Sequence, residues 1–509
     1  MGGTNRNKKG IKRPPPPKPG DPDYKTPTQL RNARKRRKLQ RDRTQVHKSN
    51  SDQNLTTLSV EEQVQTQKHS SVKSSRPKDP SQQFIHNPKA APVVQSAKRF
   101  FENIIRTQNN DPSYSFPIYV GPKKGWRTVA RLAVRRPASS DDGGSVKIGL
   151  FVPGSHELLE VPDCPAHHPR INDAVRVLQE ACNAVSVQAF DETTGEGHLR
   201  YVAISIERST GKQQVTLVWN EQSGADNERG KTQLKKLVWQ LTKTNDTTSL
   251  LDLHSLWVHY NNTWKHANSI VDRGGRWEQV FGKDSEGRVE EFLWDAMRND
   301  VRVPLFFPPQ VFRQANLDAF AKIVLKIRQW LKNHPNDESK ERFRLGHCLE
   351  LYGGVGTIGL NMLDMFRSLE SSDENPFNKA CFEASVARAV VNGEILKASR
   401  QKKIVYQSKS ATDMIRGPKG KQSLHKADVI IVDPPRKGLD AEVIEALNTV
   451  SARESSTPQV LVYVSCGFDA FRENYKAFVE SGSWKLEHAE GHILFPGSDA
   501  IETLAFFTK

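Results

Sequence analysis

One cysteine in this sequence is placed to act as a nucleophile. Val462-Tyr463-Val464-Ser465-Cys466-Gly467 is an apolar run that ends in a polar cysteine, the pattern of a buried strand emerging at its mouth. A thiolate presented there can attack a ring carbon, although a lone cysteine at a strand end is more often a small apolar filler. Its company decides between the two. Ala427-Asp428-Val429-Ile430-Ile431-Val432 is a second buried-strand pattern, and it empties into Asp433-Pro434-Pro435-Arg436-Lys437-Gly438. Two prolines cannot continue a central strand or a helix interior. They stiffen a turn that holds the Asp433 carboxylate at a sheet edge, where open α/β folds bind ligands. Leu349 to Leu360 reads as a strand, a glycine-rich bend and a helix start, the glycines permitting positive φ and close approach of backbone to a ligand. Glu502 precedes one last apolar strand, Thr503 to Phe507.

The bend carries Gly353, Gly354, Gly356 and Gly359 but neither the lysine of a phosphate loop nor the glycine order of a pyrophosphate fingerprint. A nucleoside ligand without a polyphosphate fits better, and S-adenosylmethionine is the obvious candidate. The run 379–383 reads as the next strand, closed by Glu383, an acid where dinucleotide-type folds hold ribose hydroxyls.

These residues need a scaffold, and the second half of the chain spells one out. The patterns read as strand 347–352, helix 357–367, strand 379–383, helix 384–396, strands 403–407 and 427–432, helix 440–449, strand 460–465, helix 469–480 and two terminal strands. Such alternation specifies a mostly parallel sheet covered on both faces. Ahead of it, Leu317, Phe320, Val324, Ile327 and Leu331 repeat at helical spacing, after an aromatic and proline-rich connector that ends in Phe312-Arg313-Gln314-Ala315-Asn316. Short alternating runs fill the preceding region. The expected organisation is a disordered basic tail over 1–95, an α+β module over 96–300 and a Rossmann-like α/β domain over 301–509.

The chain has 75 Lys and Arg against 58 Asp and Glu. Residues 1–50 hold 16 of the basic residues against three Asp, so 13 of the 17 excess positive charges fall in the tail, which suits salt-sensitive attraction to phosphate backbones. The Arg34-Lys35-Arg36-Arg37-Lys38 cluster reads as a nuclear or nucleolar address or an RNA tether. The first twenty residues contain no acid, which leaves an organelle transit peptide open. Five cysteines lie scattered without short pair spacing, against both a disulfide framework and a thiolate zinc site; a reducing compartment is the natural home. No run approaches the ~18 apolar residues of a membrane span.

Taken together, Phe312 through Asn316, Glu350-Leu351-Tyr352-Gly353-Gly354-Val355-Gly356, Asp433 through Gly438, Val464-Ser465-Cys466 and Phe495-Pro496-Gly497-Ser498-Asp499-Ala500-Ile501-Glu502 resemble, in this order, the RNA uracil-5 methyltransferase family. These are the folate-independent enzymes that make 5-methyluridine in tRNA and ribosomal RNA. The resemblance covers roughly residues 120–509. It implies S-adenosylmethionine as methyl donor, with Gln314, Tyr352, Thr357, Glu383 and Asp433 around it, Cys466 as nucleophile and Glu502 as the base that removes the C5 proton. Uracil C5 is too weak a nucleophile to displace methyl from a sulfonium; a thiolate added at C6 turns the ring into an enolate-like species that can, and a carboxylate must then take the C5 proton. Arg436, or the dipole of the helix after Cys466, is expected to help ionise the thiol.

This chain departs from the family in having Gly353 where Cys is frequent, Gly467-Phe468 where Asn-Pro stands, and Ala500 where His stands. Cys164 resembles the last ligand of the iron–sulfur cluster found in some members, but no cysteine precedes it; one ligand cannot hold a cluster, and no metal is expected. The partner implied is structured RNA with the target uridine flipped or looped out, gripped by the module's basic edge at Arg127, Arg131 and Arg135, and met by a monomer. The missing cluster ligands and RNA-binding barrel favour tRNA over ribosomal RNA. A noncatalytic RNA-binding protein of the same fold is the competing reading, disfavoured by the intact Cys466, Asp433 and Glu502.

Overall fold

The doubly apolar runs do form a central sheet, and they recruit a segment from far upstream to finish it. The computed structural model describes residues 79–509 except 137–144, 153–154, 156, 222–224, 244–249, 263–274, 283–286, 294–300, 334–344, 392–393, 397–402 and 450–458; residues 1–78 of the expected tail, with the Arg34–Lys38 cluster, lie outside the described residues. Pro92–Asn109 is helix α1 and Ile118–Val120 strand β1. The middle region follows as β2 (Val129–Arg135), β3 (Lys147–Phe151), β4 (Leu158–Glu160), α2 (Pro169–Ala184), β5 (Leu199–Ile206), β6 (Gln213–Trp219), α3 (Ala225–Thr242), β7 (Leu253–Tyr260) and β8 (Arg276–Gly282). Then come α4 (Leu317–Asn333), β9 (Leu345–Leu351), β10 (Phe366–Asp373), α5 (Phe377–Arg388), β11 (Ile404–Ser408), β12 (Ala427–Val432), α6 (Ala441–Thr449), β13 (Val460–Ser465), α7 (Phe468–Glu480), β14 (Lys485–Ile493) and β15 (Glu502–Thr508).

The larger sheet has the order β1-β14-β15-β13-β12-β9-β10-β11. Strand β15 runs antiparallel to both its neighbours, and the other pairings are parallel. The chain works outward from β9 to β11, then returns to β12 on the other side of β9. The crevice beyond the carboxyl ends of β9 and β12 is therefore a topological switch point, the place such sheets bind ligands. The central strands β12, β13 and β15 bury both faces: Ile431, Val462, Val464, Leu504 and Phe506 share a core with Phe320, Val324 and Ile327 of α4, while Ile430, Val432, Leu461, Tyr463 and Phe507 share one with α1, α6 and α7.

Helix α1 shows why the fold starts earlier than expected. Pro92 occupies its first turn, where a missing N–H is harmless, and Val94, Ala97, Phe101 and Ile105 form one buried stripe. Phe101 stacks on Phe116 at 4.8 Å and Phe100 meets the edge of Phe468 at 5.6 Å. A boundary at 95/96 falls inside this helix, and β1 extends the sheet it packs on. The middle region is the expected α+β module: a seven-stranded sheet, β4-β3-β2-β5-β6-β7-β8, with α2 and α3 packed on one face.

Two elements differ from expectation. The stretch after the glycine bend is a short 3-10 turn, Gly359–Met362, followed by strand β10, not a helix over 357–367. Residues 379–383 then lie within helix α5, so Glu383 ends no strand; it is exposed and faces Lys379 one turn away at 3.9 Å. Ala380-Cys381-Phe382 is short enough to read as strand or helix alike, and the polar composition of β10 hid the true strand.

Candidate active site

Strand pairing assembles the reactive groups. Ser465 of β13 is paired with Thr503 of β15, so the next opposed residues are Cys466 and Glu502, whose Cα atoms such geometry sets ~4.5–5.5 Å apart. Alternation puts both on the sheet face that carries Val464 and Leu504. Asp433 leaves the neighbouring strand β12 at the same end. The turn from Asp433 to Gly438 then folds over the cysteine: a Cβ on Gly467 would stand 2.3 Å from the carbonyl oxygen of Arg436. That close approach explains glycine at 467, and Phe468 is taken up by the aromatic cluster around α1. The two residues in place of Asn-Pro are thus accounted for by packing.

Around Cys466, among the described residues, the acids outweigh the one cation that acts on it. Burial, with Glu502 and Asp433 adding to it, pushes the Cys466 thiol up to about 11, while Arg436 acts in the opposite direction. The help expected from Arg436 is present but is outweighed. Glu502 is 4 % exposed, and burial together with Asp433 holds its carboxyl well above the usual range, again against Arg436. Asp433 is pushed up to about 7 by burial and by Glu350 and Asp373. Glu350 itself, buried at the end of β9, is raised to about 7 by burial, although Ser371 Oγ and the Gly359 N–H donate to it at 2.7 and 2.8 Å. Its carboxyl fills the space under the bend: a Cβ on Gly353 would meet Ser371 Oγ at 2.4 Å and Glu350 Oε2 at 2.9 Å.

The bend is shaped to receive a ligand on its backbone. Tyr352, Gly354 and Gly356 all have positive φ, 58°, 56° and 83°. Gly354 N–H donates to Asp373 Oδ2 at 3.2 Å. The Tyr352 side chain leans away, its hydroxyl donating to Asp440 at 3.3 Å, so at this position it is backbone that faces the crevice. Thr357 is half-buried on the same turn, its carbonyl accepting from Asn361 at 2.9 Å. Glu350, Asp373 and Asp433, close enough to perturb one another, form a donor set that suits a cationic nucleoside, so the residues present fit S-adenosylmethionine. Asp373, which closes β10, was missed in the sequence; an acid two residues before Asn375-Pro376 was the available signal.

Gln314 lies on the connector ahead of α4. Its neighbours are locked: Arg313 is buried, ion-paired to Glu291 at 2.7 Å, and donates to Ile206 O, Thr128 Oγ1 and Ser205 Oγ of the module at 2.8 to 3.1 Å. Asn316 donates to Leu494 O at 2.7 Å and accepts from Ala319 N–H in the first turn of α4. Gln314 lines a cavity of about 470 Å³ between the open face of the module sheet and the catalytic half, together with Arg127, Arg131, Phe312, Arg436, Phe495 and Ala500. Arg127 lies over Trp126 and Phe495 at 4.8 and 5.7 Å. Of the expected basic edge, Arg127 and Arg131 line this cavity, whereas Arg135 is turned onto its own module, bonded to Glu192, Val134 O and Arg200 O. Among the described residues no group of three or more His, Cys, Asp or Glu could hold a metal, and no helix is long and apolar enough to cross a membrane.

Comparison with known proteins follows the same direction. No family model matches the chain. An uncharacterised RNA methyltransferase of Protochlamydia amoebophila is 35% identical over 393 residues, covering 77% of this chain and 88% of that protein. Another, from Lactococcus lactis, is 26% identical over 369 residues, covering 72% and 68%. Among solved structures, the Pyrococcus abyssi tRNA (uracil-54, C5)-methyltransferase in complex with S-adenosyl-L-homocysteine superposes with a TM-score of 0.54 at 19% identity, over 82% of each chain, a likeness of fold. With the motifs, the sheet order and these relatives agreeing, the chain belongs to the RNA uracil-5 methyltransferase family of S-adenosylmethionine-dependent enzymes.

Proposed function

We propose that this enzyme methylates C5 of a uridine in RNA through a covalent bond between Cys466 and C6 of the ring, giving 5-methyluridine, and that the RNA is a tRNA. The observation that carries the reading is the pairing of β13 with β15, which makes Cys466 and Glu502 neighbours beside Asp433. S-adenosylmethionine supplies an electrophilic methyl carbon when bound. Asp373 takes the ribose position expected of Glu383, because it is the acid that ends the strand after the bend. Gln314, held between two anchored neighbours, would hold the cofactor's amino-acid end, and Asp433 would serve both cofactor and base. Cys466, as its thiolate, would add to C6 and make C5 nucleophilic towards the methyl carbon that the cofactor would supply, with the methyl–sulfonium bond breaking to leave a neutral thioether; Glu502, as a carboxylate, would then take the C5 proton so that the electron pair re-forms the ring double bond and expels the thiolate.

The cavity of about 470 Å³ has the size of a ligand pocket and accepts a nucleotide turned out of its stack. Arg127, Arg131 and Arg436 give it the charge to meet phosphates. The tRNA assignment draws on the substrate named for the Pyrococcus abyssi enzyme of like fold. RNA carrying 5-fluorouridine has no C5 proton to lose and should remain attached to the protein through denaturing electrophoresis, with Cys466→Ala giving no such band. Absence of the band with the unaltered enzyme and both tRNA and ribosomal RNA would overturn the mechanism; a band with ribosomal RNA alone would overturn the substrate.

A further inference from the structure

A carboxyl that burial keeps protonated cannot serve as a base until its own proton has somewhere to go. Arg436 is the cation that opposes the burial of Glu502, and a guanidinium does not accept protons. The sheet offers an acceptor on the next strand. His492 of β14 is paired directly with Glu502 of β15. Side chains of directly opposed residues share one face, with Cβ atoms ~4.5–5.5 Å apart. Both are buried, at 3 % and 4 % exposure. His492 Nε2 lies 2.9 Å from Glu490 Oε1, so Nδ1 is the nitrogen left for another partner. The other Glu490 oxygen meets His488 Nε2 at 3.4 Å, and His488 is a third exposed.

We propose that His492 is the positioning residue for Glu502: it takes the carboxyl proton, so that Glu502 is a carboxylate when C5 must be deprotonated, and passes it towards solvent. This rests on the function proposed above. The balance is closed. Glu502 gives its proton to His492 Nδ1, and the imidazolium is held by the Glu490 carboxylate, as an acid holds the imidazolium in a catalytic triad. The imidazolium then loses a proton to water by way of the partly exposed His488 side, and Glu502 is free to accept the C5 proton in each turnover. Burial works against an ionised Glu490, but hydrogen bonds from His488 and His492 outweigh it and leave that carboxyl at about 2, so the counter-charge is constant over the working range. The other polar groups on this side of the imidazole are Tyr119 of β1, whose ring stacks on it at 5.1 Å, and Lys326 of α4, whose amine donates to the Tyr119 hydroxyl at 3.1 Å.

The test is His492→Gln in the full-length enzyme, which keeps a donor for Glu490 and removes the proton-accepting nitrogen. With RNA labelled by tritium at uridine C5, tritium release should slow about tenfold or more, in line with the loss of one general acid–base partner. The Cys466–RNA adduct should accumulate on ordinary uridine, and the acid limb of the pH–rate profile should move. Glu490→Gln, which keeps the imidazole but removes its counter-charge, should slow release in the same direction and by less. Adduct formation with 5-fluorouridine RNA should survive in both. Equal tritium release and an unmoved pH profile in both variants overturn the role of His492, whereas failure of the unaltered enzyme to form the fluorouridine adduct overturns the reading of function on which it rests.

Discussion

The closest backbone approach around the cysteine makes a quantitative prediction. Gly467 has φ −122°, a conformation open to alanine, so Gly467→Ala carries no backbone strain of its own. Its Cβ, however, would lie 2.3 Å from Arg436 O, 2.9 Å from Arg436 C and 3.0 Å from Arg436 Cα. Ordinary contact begins at 3.4 Å, so the loop from Asp433 to Gly438 must retreat by about 1.1 Å or Cys466 must move by as much. Overpacking of this kind costs about 1–3 kcal/mol, and a displacement of ~1 Å between reacting groups can cost about 100-fold in rate. The assay is kcat/KM for methyl transfer into unmodified RNA, with urea midpoints on the same preparations. Gly482→Ala is the control: its φ of +64° strains alanine, but nothing lies within 4 Å of the added Cβ, so it should lose about 1 kcal/mol of stability and no activity. If Gly467→Ala retains the unaltered kcat/KM, or the control loses as much, the loop does not hold the site by contact with residue 467.

Two further outcomes follow from burial. Glu350 is raised from 4.5 to about 7 by burial, so between those values the folded chain binds a proton that the unfolded chain does not; stability is highest below about pH 4.5 and falls as pH rises through about 7, by an amount on the order of 3 kcal/mol. Glu350→Gln should flatten that slope in urea midpoints taken from pH 5 to 8, and an unchanged slope sinks the assignment. Phe101→Ala should cost about 3–5 kcal/mol, because Phe101 is fully buried between Phe116, Phe468 and Phe471; a urea midpoint equal to that of the unaltered protein would show that α1 is dispensable to the fold.

What could be read from the residues alone divides along burial. Strands β12 and β13 were legible because both faces are apolar, so their composition needs no partner to explain it. Strand β10 was not, because Ser371 and Ser372 are fully buried polar residues that belong there only once Glu350 stands opposite Ser371, and Glu370 accepts from Gln407 of the neighbouring strand and from Ser423 of the helix Gly417–Lys426. With β10 unread, the acid that ends it was displaced by ten residues onto Glu383. Helix α1 was hidden by the polar, basic stretch that runs up to it, though its stripe of Val94, Ala97, Phe101 and Ile105 has ordinary helical spacing. His492 lay beyond reach for another reason: its relation to Glu502 is one of register, and register across β14 and β15 is set by which residues both sheet faces can bury.

The electrostatics tie these parts into one device. Cys466, Asp433, Glu350 and Glu502 are all pushed towards their protonated forms, and in Cys466, Asp433 and Glu502 the neighbouring acids add to the burial. Such a set resists acquiring several negative charges at once, which keeps a half-buried thiol in its unreactive form when the crevice is without positive charge. A cation at the switch point between β9 and β12 favours the ionised form of all of them, with Arg436 acting in the same direction on Cys466 and Glu502. Ionisation of the Cys466 thiol is thereby coupled to the arrival of positive charge in the crevice. That coupling follows from placing Glu350, Asp433 and Glu502 at one end of the same sheet rather than from any single residue.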